Sequence, residues 1–133
     1  MAEQGNRLHH IRAGSLTGST AQTTGMRRLA AISGDSVGAR ALWMGQTHVT
    51  PASSSGAHHH GESETGIFVV SGRPVFIYQE DGREVHVETA PGDFIYVPPY
   101  VHHIEANPSP DEEAVVVIAR TTQEAIVVNL DKL

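Results

Sequence analysis

The sequence has no cysteine, few aromatic residues and no long hydrophobic run. Without cysteine, disulfides and thiolate chemistry are excluded, so any metal ion must bind nitrogen and oxygen atoms. Aromatic residues make up 5% of the chain, which is little for a stacking surface that binds single-stranded nucleic acid. The formal net charge of -6 would repel a phosphate backbone. We therefore expect no nucleic-acid partner.

No apolar segment approaches the roughly 20 residues that a helix needs to cross a bilayer, so no membrane span is expected. The first twelve residues contain no continuous hydrophobic segment of the kind found in secretory signals. A cytoplasmic location is the resulting expectation. The length of 133 residues suits one domain, and the 39% of apolar residues can form one core.

Short apolar segments separated by glycine and proline dominate the chain after its first quarter. Residues 1–24, rich in Gly, Ser, Thr and Gln, predict an extended N-terminal arm with a short strand near 8–11. Residues 25–133 predict one β-barrel domain, with strands at 41–49, 66–70, 74–79, 83–88, 94–97, 114–119 and 125–130. Residues 26–31 fit a strand or a helical turn, and Asp81-Gly82 predicts a hairpin turn. The predicted fold class is all-β, a sandwich or barrel.

Histidines are the residues with the clearest chemical meaning, since nine occur and three are consecutive. In an extended segment His58 and His60 face the same side, and two imidazoles can bind one ion at about 2.0–2.1 Å. Glu64 lies an even number of residues further on and returns to that face if the chain stays extended. A third imidazole can come from His102 or His103, which follow a proline turn.

These residues resemble the two sequence motifs of the cupin superfamily. The first motif is His-x-His, a glutamate three or four residues later and a closing glycine, matched by His58, His60, Glu64 and Gly72. The second is matched by residues 92–107, with His103 at the ligand position, Asn107 at the asparagine and Tyr100 where the family often has glycine. The resemblance implies a jelly-roll β-barrel that holds one divalent metal ion on His58, His60, Glu64 and His103.

The spacing leaves the fourth ligand open. Seven residues separate Glu64 from Gly72, where the family usually has six, so counting back from Gly72 puts Thr65 at the glutamate position. A β-bulge could absorb the extra residue. We favour Glu64, because carboxylates bind divalent ions and threonine rarely does. His48, Glu105 or water are the alternatives.

The other histidines have weaker assignments. His59 and His102 are predicted to point away from the ion, and His86 is predicted to lie on the outer face of its strand. His48 shares a strand face with Met44 and Gln46, so it either lines the cavity or has a structural role.

Three imidazoles and one carboxylate suit Zn, Fe, Ni, Cu or Mn, and zinc is our first expectation. Among cupins the chain looks most like metal-dependent polyketide cyclases of antibiotic biosynthesis, which implies a small-molecule substrate and His48 or Glu64 as the catalytic base. The alternatives are a dioxygenase acting on an aromatic or diketone substrate and a binding module without turnover. The arm and the exposed strand edges predict a homodimer.

Overall fold

A computed structural model of the chain describes residues 7–122 and 126–133. Its strands and single α-helical turn follow in chain order: β1 (Met26–Ile32), α1 (Gly34–Val37), β2 (Trp43–Val49), β3 (Ser53–Ser54), β4 (His58–His59), β5 (Thr65–Ser71), β6 (Val75–Glu80), β7 (Arg83–Glu88), β8 (Phe94–Val97), β9 (Ile104–Asn107), β10 (Ala114–Arg120) and β11 (Val128–Asn129). A 3₁₀ turn covers Ala13–Ser15. No helix in these residues has the length and hydropathy needed to cross a membrane.

The strands form three antiparallel sheets. The largest has the order β1-β2-β10-β5-β8, the second has the order β3-β9-β6-β7, and β11 pairs with β4. Neighbours such as β10 and β5 are distant in sequence, which is typical of a jelly roll rather than of a simple meander. The predicted all-β, cupin-like jelly-roll class is confirmed.

The core lies between the two larger sheets, on the faces that turn inward. Residues alternate strictly between buried and half-buried along β2 and β10, as expected for strands with one face in the core. The central cluster consists of Ala30, Trp43, Ile67, Val69, Phe76, Val97, Val116 and Ile118. This alternation decides which functional side chains enter the barrel.

A β-bulge absorbs the extra residue that the first motif contains. Val115 on β10 pairs with Ser71 on β5, whereas Val116 pairs with Val69, so Val70 is left without a partner in the ladder. The bulge therefore lies at the end of β5 next to Gly72. The first residues of β5 keep a regular alternation, and Thr65 is buried.

Most predicted strands agree with the structure within two residues at each end. Arg83–Glu88 and Phe94–Val97 agree at both ends, and the hairpin turn has positive φ angles of 54° at Asp81 and 77° at Gly82. Residues 26–31 are a strand. Of predicted strand 125–130, Val128–Asn129 is extended and paired, while Ala125 lies outside the described residues.

The predicted strand near residues 8–11 is wrong, since this segment pairs with no other strand in the described part of the chain. The rest of the arm contacts β1, where Thr17 forms a bridge with Ala30 and Thr23 forms one with Met26. The division into residues 1–24 and 25–133 stays a prediction.

Candidate metal centre

Three buried histidines lie together inside the barrel. One ring nitrogen from each of His58, His60 and His103 lies within 4.8 Å of the other two. The backbones of His58 and His103 exchange two hydrogen bonds, of 3.0 and 2.9 Å, so β4 is fixed against the segment that leads into β9. The two sequence motifs therefore meet at the ligands themselves, and one ion between the three rings is in reach of all of them.

In each of the three rings the Nδ1 atom is hydrogen-bonded to a backbone carbonyl. The acceptors are Gly56 O for His58, Ile126 O for His60 and Val101 O for His103, at 2.9, 2.9 and 3.0 Å. Since a carbonyl oxygen only accepts, each Nδ1 must carry the ring proton, which leaves the lone pair on Nε2. This arrangement orients neutral imidazoles as metal ligands, and the donor set fits a divalent ion.

Burial keeps these imidazoles neutral. It is the largest cause that lowers the pKa of His58 to about 3, with a further contribution from His103. Burial also lowers the pKa of His103 to about 4, with smaller contributions from Arg28 and Arg120. The pKa of His60 is lowered strongly by burial and then by the Arg120 cation. Near neutral pH each of the three rings therefore presents an Nε2 lone pair to a metal ion and carries no second proton there.

The C-terminal segment positions the first two histidines. Asn129 pairs with His58 across β11 and β4, and the Ile126 carbonyl accepts the His60 hydrogen bond. Gly61 makes room for this segment: its φ is +58°, and a Cβ there would lie 3.0 Å from Ile126 Cγ2. Nothing in this segment itself resembles a ligand or a turn, so its role could not be predicted from the sequence.

The structure does not bring Glu64 into the histidine group. The chain turns after His60, where Ser63 N–H donates to the His60 carbonyl, so the extended conformation assumed for this stretch is wrong. Glu64 is exposed, and its Oε1 atom accepts a 3.0 Å hydrogen bond from Tyr96. Thr65 takes the inward position and is fully buried, with its Oγ1 atom lacking a partner among the described residues.

His48 also lies outside the barrel interior. Along β2 the inward positions are Trp43, Gly45, Thr47 and Val49, so His48 is on the opposite face. Its Nδ1 atom lies 2.9 Å from Glu113 Oε1, in a side-chain pair at the sheet surface. Neither of the two predicted catalytic bases, His48 and Glu64, therefore faces the candidate site. His86, as predicted, is exposed and lies 2.9 Å from Glu84.

The remaining two histidines of the motifs form a separate pair outside the ligand group. The rings of His59 and His102 stack with centroids 5.2 Å apart and planes at 11°. The Nδ1 atom of His59 accepts a hydrogen bond from Gly61 N–H. This placement agrees with the alternation expected of an extended His-His-His segment.

Three buried charged residues, Arg28, Arg120 and Glu105, share the barrel interior with the histidines, and of these only Glu105 was among the predicted alternative ligands. Arg28 on β1 places Nη2 3.4 Å from His58 Nε2. Arg120 is the last residue of β10, 1% exposed, and its guanidinium lies 4.5 Å from the centroid of the Trp43 ring. Both arginines occupy inward positions in otherwise apolar strand patterns, a signal that sequence inspection could have used.

Burial shifts these charged groups in opposite directions. It lowers the pKa of Arg28 to about 10 and that of Arg120 to about 9, so both stay protonated near neutral pH. Burial raises the pKa of Glu105 to about 7, against the opposing effect of Arg28. Glu105 points inward from β9, two residues after His103, and its Oε2 atom has no hydrogen-bond partner among the described residues.

A cavity of about 480 Å³ includes His103 in its wall. Its other walls come from β6, β7, β8 and the turn before His103, and they are mostly apolar, including Phe76, Val97 and Val101. This volume lies within the range of about 300–1,000 Å³ that is usual for small-molecule sites.

Comparisons with known proteins agree with this geometry. Residues 45–119, more than half of the chain, match the family model for the cupin domain. Acireductone dioxygenase from Bacillus cytotoxicus is 49% identical over 47 residues, which is 35% of this chain and 27% of that protein.

Among solved structures, oxalate decarboxylase from Bacillus subtilis superposes with a TM-score of 0.71 at 19% identity, over 84% of this chain and 30% of that one. Another structure of that enzyme, described by its Mn(II) centres, gives the same TM-score. The chain thus spans about a third or less of the length of these relatives. The matched family model and the two motifs that meet at the histidines identify the chain as a member of the cupin family.

Proposed function

We propose that this chain is a metal-dependent enzyme that acts on a small molecule at His58, His60 and His103. The observation that carries the proposal is the set of three buried Nε2 lone pairs, each fixed by an Nδ1 hydrogen bond to a carbonyl. A structural zinc site would use four protein ligands, whereas these three leave coordination positions for a substrate.

A divalent ion held here would supply Lewis-acid chemistry, since it stabilises negative charge that develops on substrate oxygen atoms. The protein's own contribution is to orient the three imidazoles and to exclude water around them. The apolar cavity walls hold the body of the substrate, and His103 connects that cavity to the ligand group.

Dioxygenase-type chemistry is the more specific function that we favour. The similarity to acireductone dioxygenase supports it, because 49% identity over 47 residues is substantial for such a short match. We accordingly expect a redox-active ion, such as iron, manganese or nickel, in preference to the zinc that was expected from the sequence. The Mn(II) centres described for oxalate decarboxylase support a hard ion of this kind in the same fold.

Oxygen uptake tests this function directly. Protein loaded with Fe²⁺, Mn²⁺, Ni²⁺ or Zn²⁺ is supplied with catechols, flavonols, diketones and enediols, and dissolved oxygen is recorded. We expect uptake with at least one redox-active ion, none with zinc, and none in the double variant His58→Ala, His60→Ala. No uptake with any ion across the panel would contradict a dioxygenase.

Polyketide cyclisation remains a second proposal, but the placement of His48 and Glu64 weakens it. Both side chains lie outside the interior, so the cyclase would need another proton acceptor, and Glu105 is the buried carboxylate among the described residues. Zinc-loaded protein that cyclises a poly-β-carbonyl mimic faster than metal-free protein would favour this reading. A binding module without turnover would retain ligand tightly and form no product in either assay.

A further inference from the structure

Arg120 is a buried cation whose side-chain nitrogens lack hydrogen-bond partners among the described residues. The atoms concerned are Nε, Nη1 and Nη2, which together carry five N–H donors. Buried donors are almost always paired, and each unpaired one costs free energy. Arg120 therefore presents five N–H donors whose hydrogen bonds a bound anion could accept.

The Trp43 ring packs against the Arg120 guanidinium and restrains it. The guanidinium carbon lies 4.5 Å from the ring centroid, in a cation–π contact. The ring in turn occupies the space beside Gly45, where a Cβ would lie 2.8 Å from Trp43 Cη2. A planar fork of donors that is fixed before binding loses little entropy when an anion arrives.

Arg28 provides a second guanidinium at the edge of the histidine group. Its Nη1 atom donates to Thr23 Oγ1 at 2.8 Å, which fixes the side chain, and its Nε atom has no partner among the described residues. Its Nη2 atom lies 3.4 Å from His58 Nε2, the atom that carries the lone pair. When an ion takes that lone pair, the remaining partner of Nη2 among the described residues is Met26 Sδ at 3.7 Å, a weak acceptor.

The charges inside the barrel do not balance. Arg28 and Arg120 are the buried cations among the described residues and Glu105 is the buried carboxyl group, so at least one positive charge is uncompensated whether or not Glu105 is ionised. A divalent ion on neutral histidines adds two more positive charges. Buried charges are costly unless they are paired, so the interior requires an anion.

We propose that Arg28 and Arg120 form an anion subsite beside the three histidines, and that the substrate is a small organic carboxylate. This inference rests on the proposed function, whose substrate class it specifies. A guanidinium fork matches the two oxygens of a carboxylate. Thr65 lies directly across from Arg120 in the β5–β10 ladder, and its hydroxyl, which has no hydrogen-bond partner among the described residues, offers one more donor. The mostly apolar cavity beside His103 suits an organic body better than an inorganic oxyanion.

The direct test follows the arginine Nε–H signals by ¹H–¹⁵N NMR of zinc-loaded protein, which is diamagnetic. The probes are oxalate and benzoate, with benzamide as the neutral match of benzoate and sulfate as an inorganic anion. We expect both carboxylates to shift the Nε–H signals of Arg28 and Arg120, and benzamide to leave them unchanged. Absence of any shift at millimolar carboxylate would overturn the subsite, and tighter binding of sulfate would overturn the carboxylate class.

Variants give an independent measurement by calorimetry. Arg120→Gln and Arg28→Gln are expected to weaken oxalate binding at least ten-fold, since each removes a charged hydrogen-bonding group. Arg27→Gln is the matched control, because Arg27 is the neighbour of Arg28 on β1 and is exposed. Parent-like affinity in both interior variants would contradict the proposal. If a variant does not fold, the carboxylate-dependent shifts of the parent's Nε–H signals alone decide whether the subsite exists.

Metal content, measured on every sample, separates this inference from the proposed function. If the parent binds no metal, the enzyme proposal fails, yet carboxylate-dependent shifts of both Nε–H signals in that protein still support the subsite. If metal is bound and the shifts are absent, the enzyme proposal stands and the subsite is wrong.

Discussion

Replacing Gly61 with alanine should weaken metal binding from outside the ligand set. A φ of +58° costs a non-glycine residue about 1–2 kcal/mol. The added Cβ would lie 3.0 Å from Ile126 Cγ2, so the Ile126 side chain must give by a few tenths of an ångström, and we expect the backbone of Ile126 to follow. Because the Ile126 carbonyl accepts the Nδ1–H bond of His60, that movement loosens a ligand. Loss of such a supporting bond typically costs about 10–100-fold in metal affinity.

The matched control is Gly82→Ala. Gly82 has a similar φ of +77°, but a Cβ there meets no atom within 4 Å. Both variants should lower Tm by about 3–10 °C, using about 3–5 °C per kcal/mol for a domain of this size. In chelator competition only Gly61→Ala should lose affinity for Zn²⁺. Equal affinity in the two variants would refute the link between Gly61, Ile126 and His60.

Three further predictions follow from the placement and protonation of the histidines and from the outer sheet face. His48→Ala and Glu64→Gln should retain the parent's metal content, because both side chains lie outside the ligand group; loss of metal in Glu64→Gln would restore it as a ligand. Metal-free protein should lose stability as pH falls from 6.5 towards 4, because unfolded imidazoles bind protons that buried His58 and His103, with pKa values of about 3 and about 4, do not. The loss is up to about 1.4 kcal/mol per pH unit for each histidine, measured by urea unfolding, and a flat profile would contradict it. The homodimer stays a prediction: light scattering should give about twice 14.3 kDa, and Val117→Lys on the outer face of β10 should give a monomer, whereas a monomeric parent would exclude it.

The fold could be predicted from sequence because its strands are short, alternating and separated by turn residues. The Asp81-Gly82 turn and strands β7 and β8 are examples in which local patterns decide both ends. The strands β3, β4 and β9 were missed. They have two to four residues, and they exist because of long-range pairing, such as that of Ser53 with Asn107.

The three histidines of the site were also accessible from the sequence, since strand alternation puts His58 and His60 on one face and the resemblance to the second cupin motif selects His103. The alternation of an extended strand wrongly placed Glu64 on the same face as His58 and His60, because a turn after His60 breaks the extended chain. It also left His48 undecided, since alternation gives two faces and does not say which is inner. Arg28 and Arg120 were missed because an arginine in a strand is usually exposed, although both stand at inward positions of their strand alternation and are buried. A cytoplasmic location stays a prediction.

Metal content tests the central claim most directly. Untagged protein, purified without chelator, is compared by elemental mass spectrometry with His58→Ala, His60→Ala and with the control His59→Ala, His102→Ala, which removes the stacked pair. One equivalent of a divalent metal in the parent and the control, and none in the first double variant, is the result that the account predicts. No metal in the parent, or equal metal in all three proteins, would contradict it.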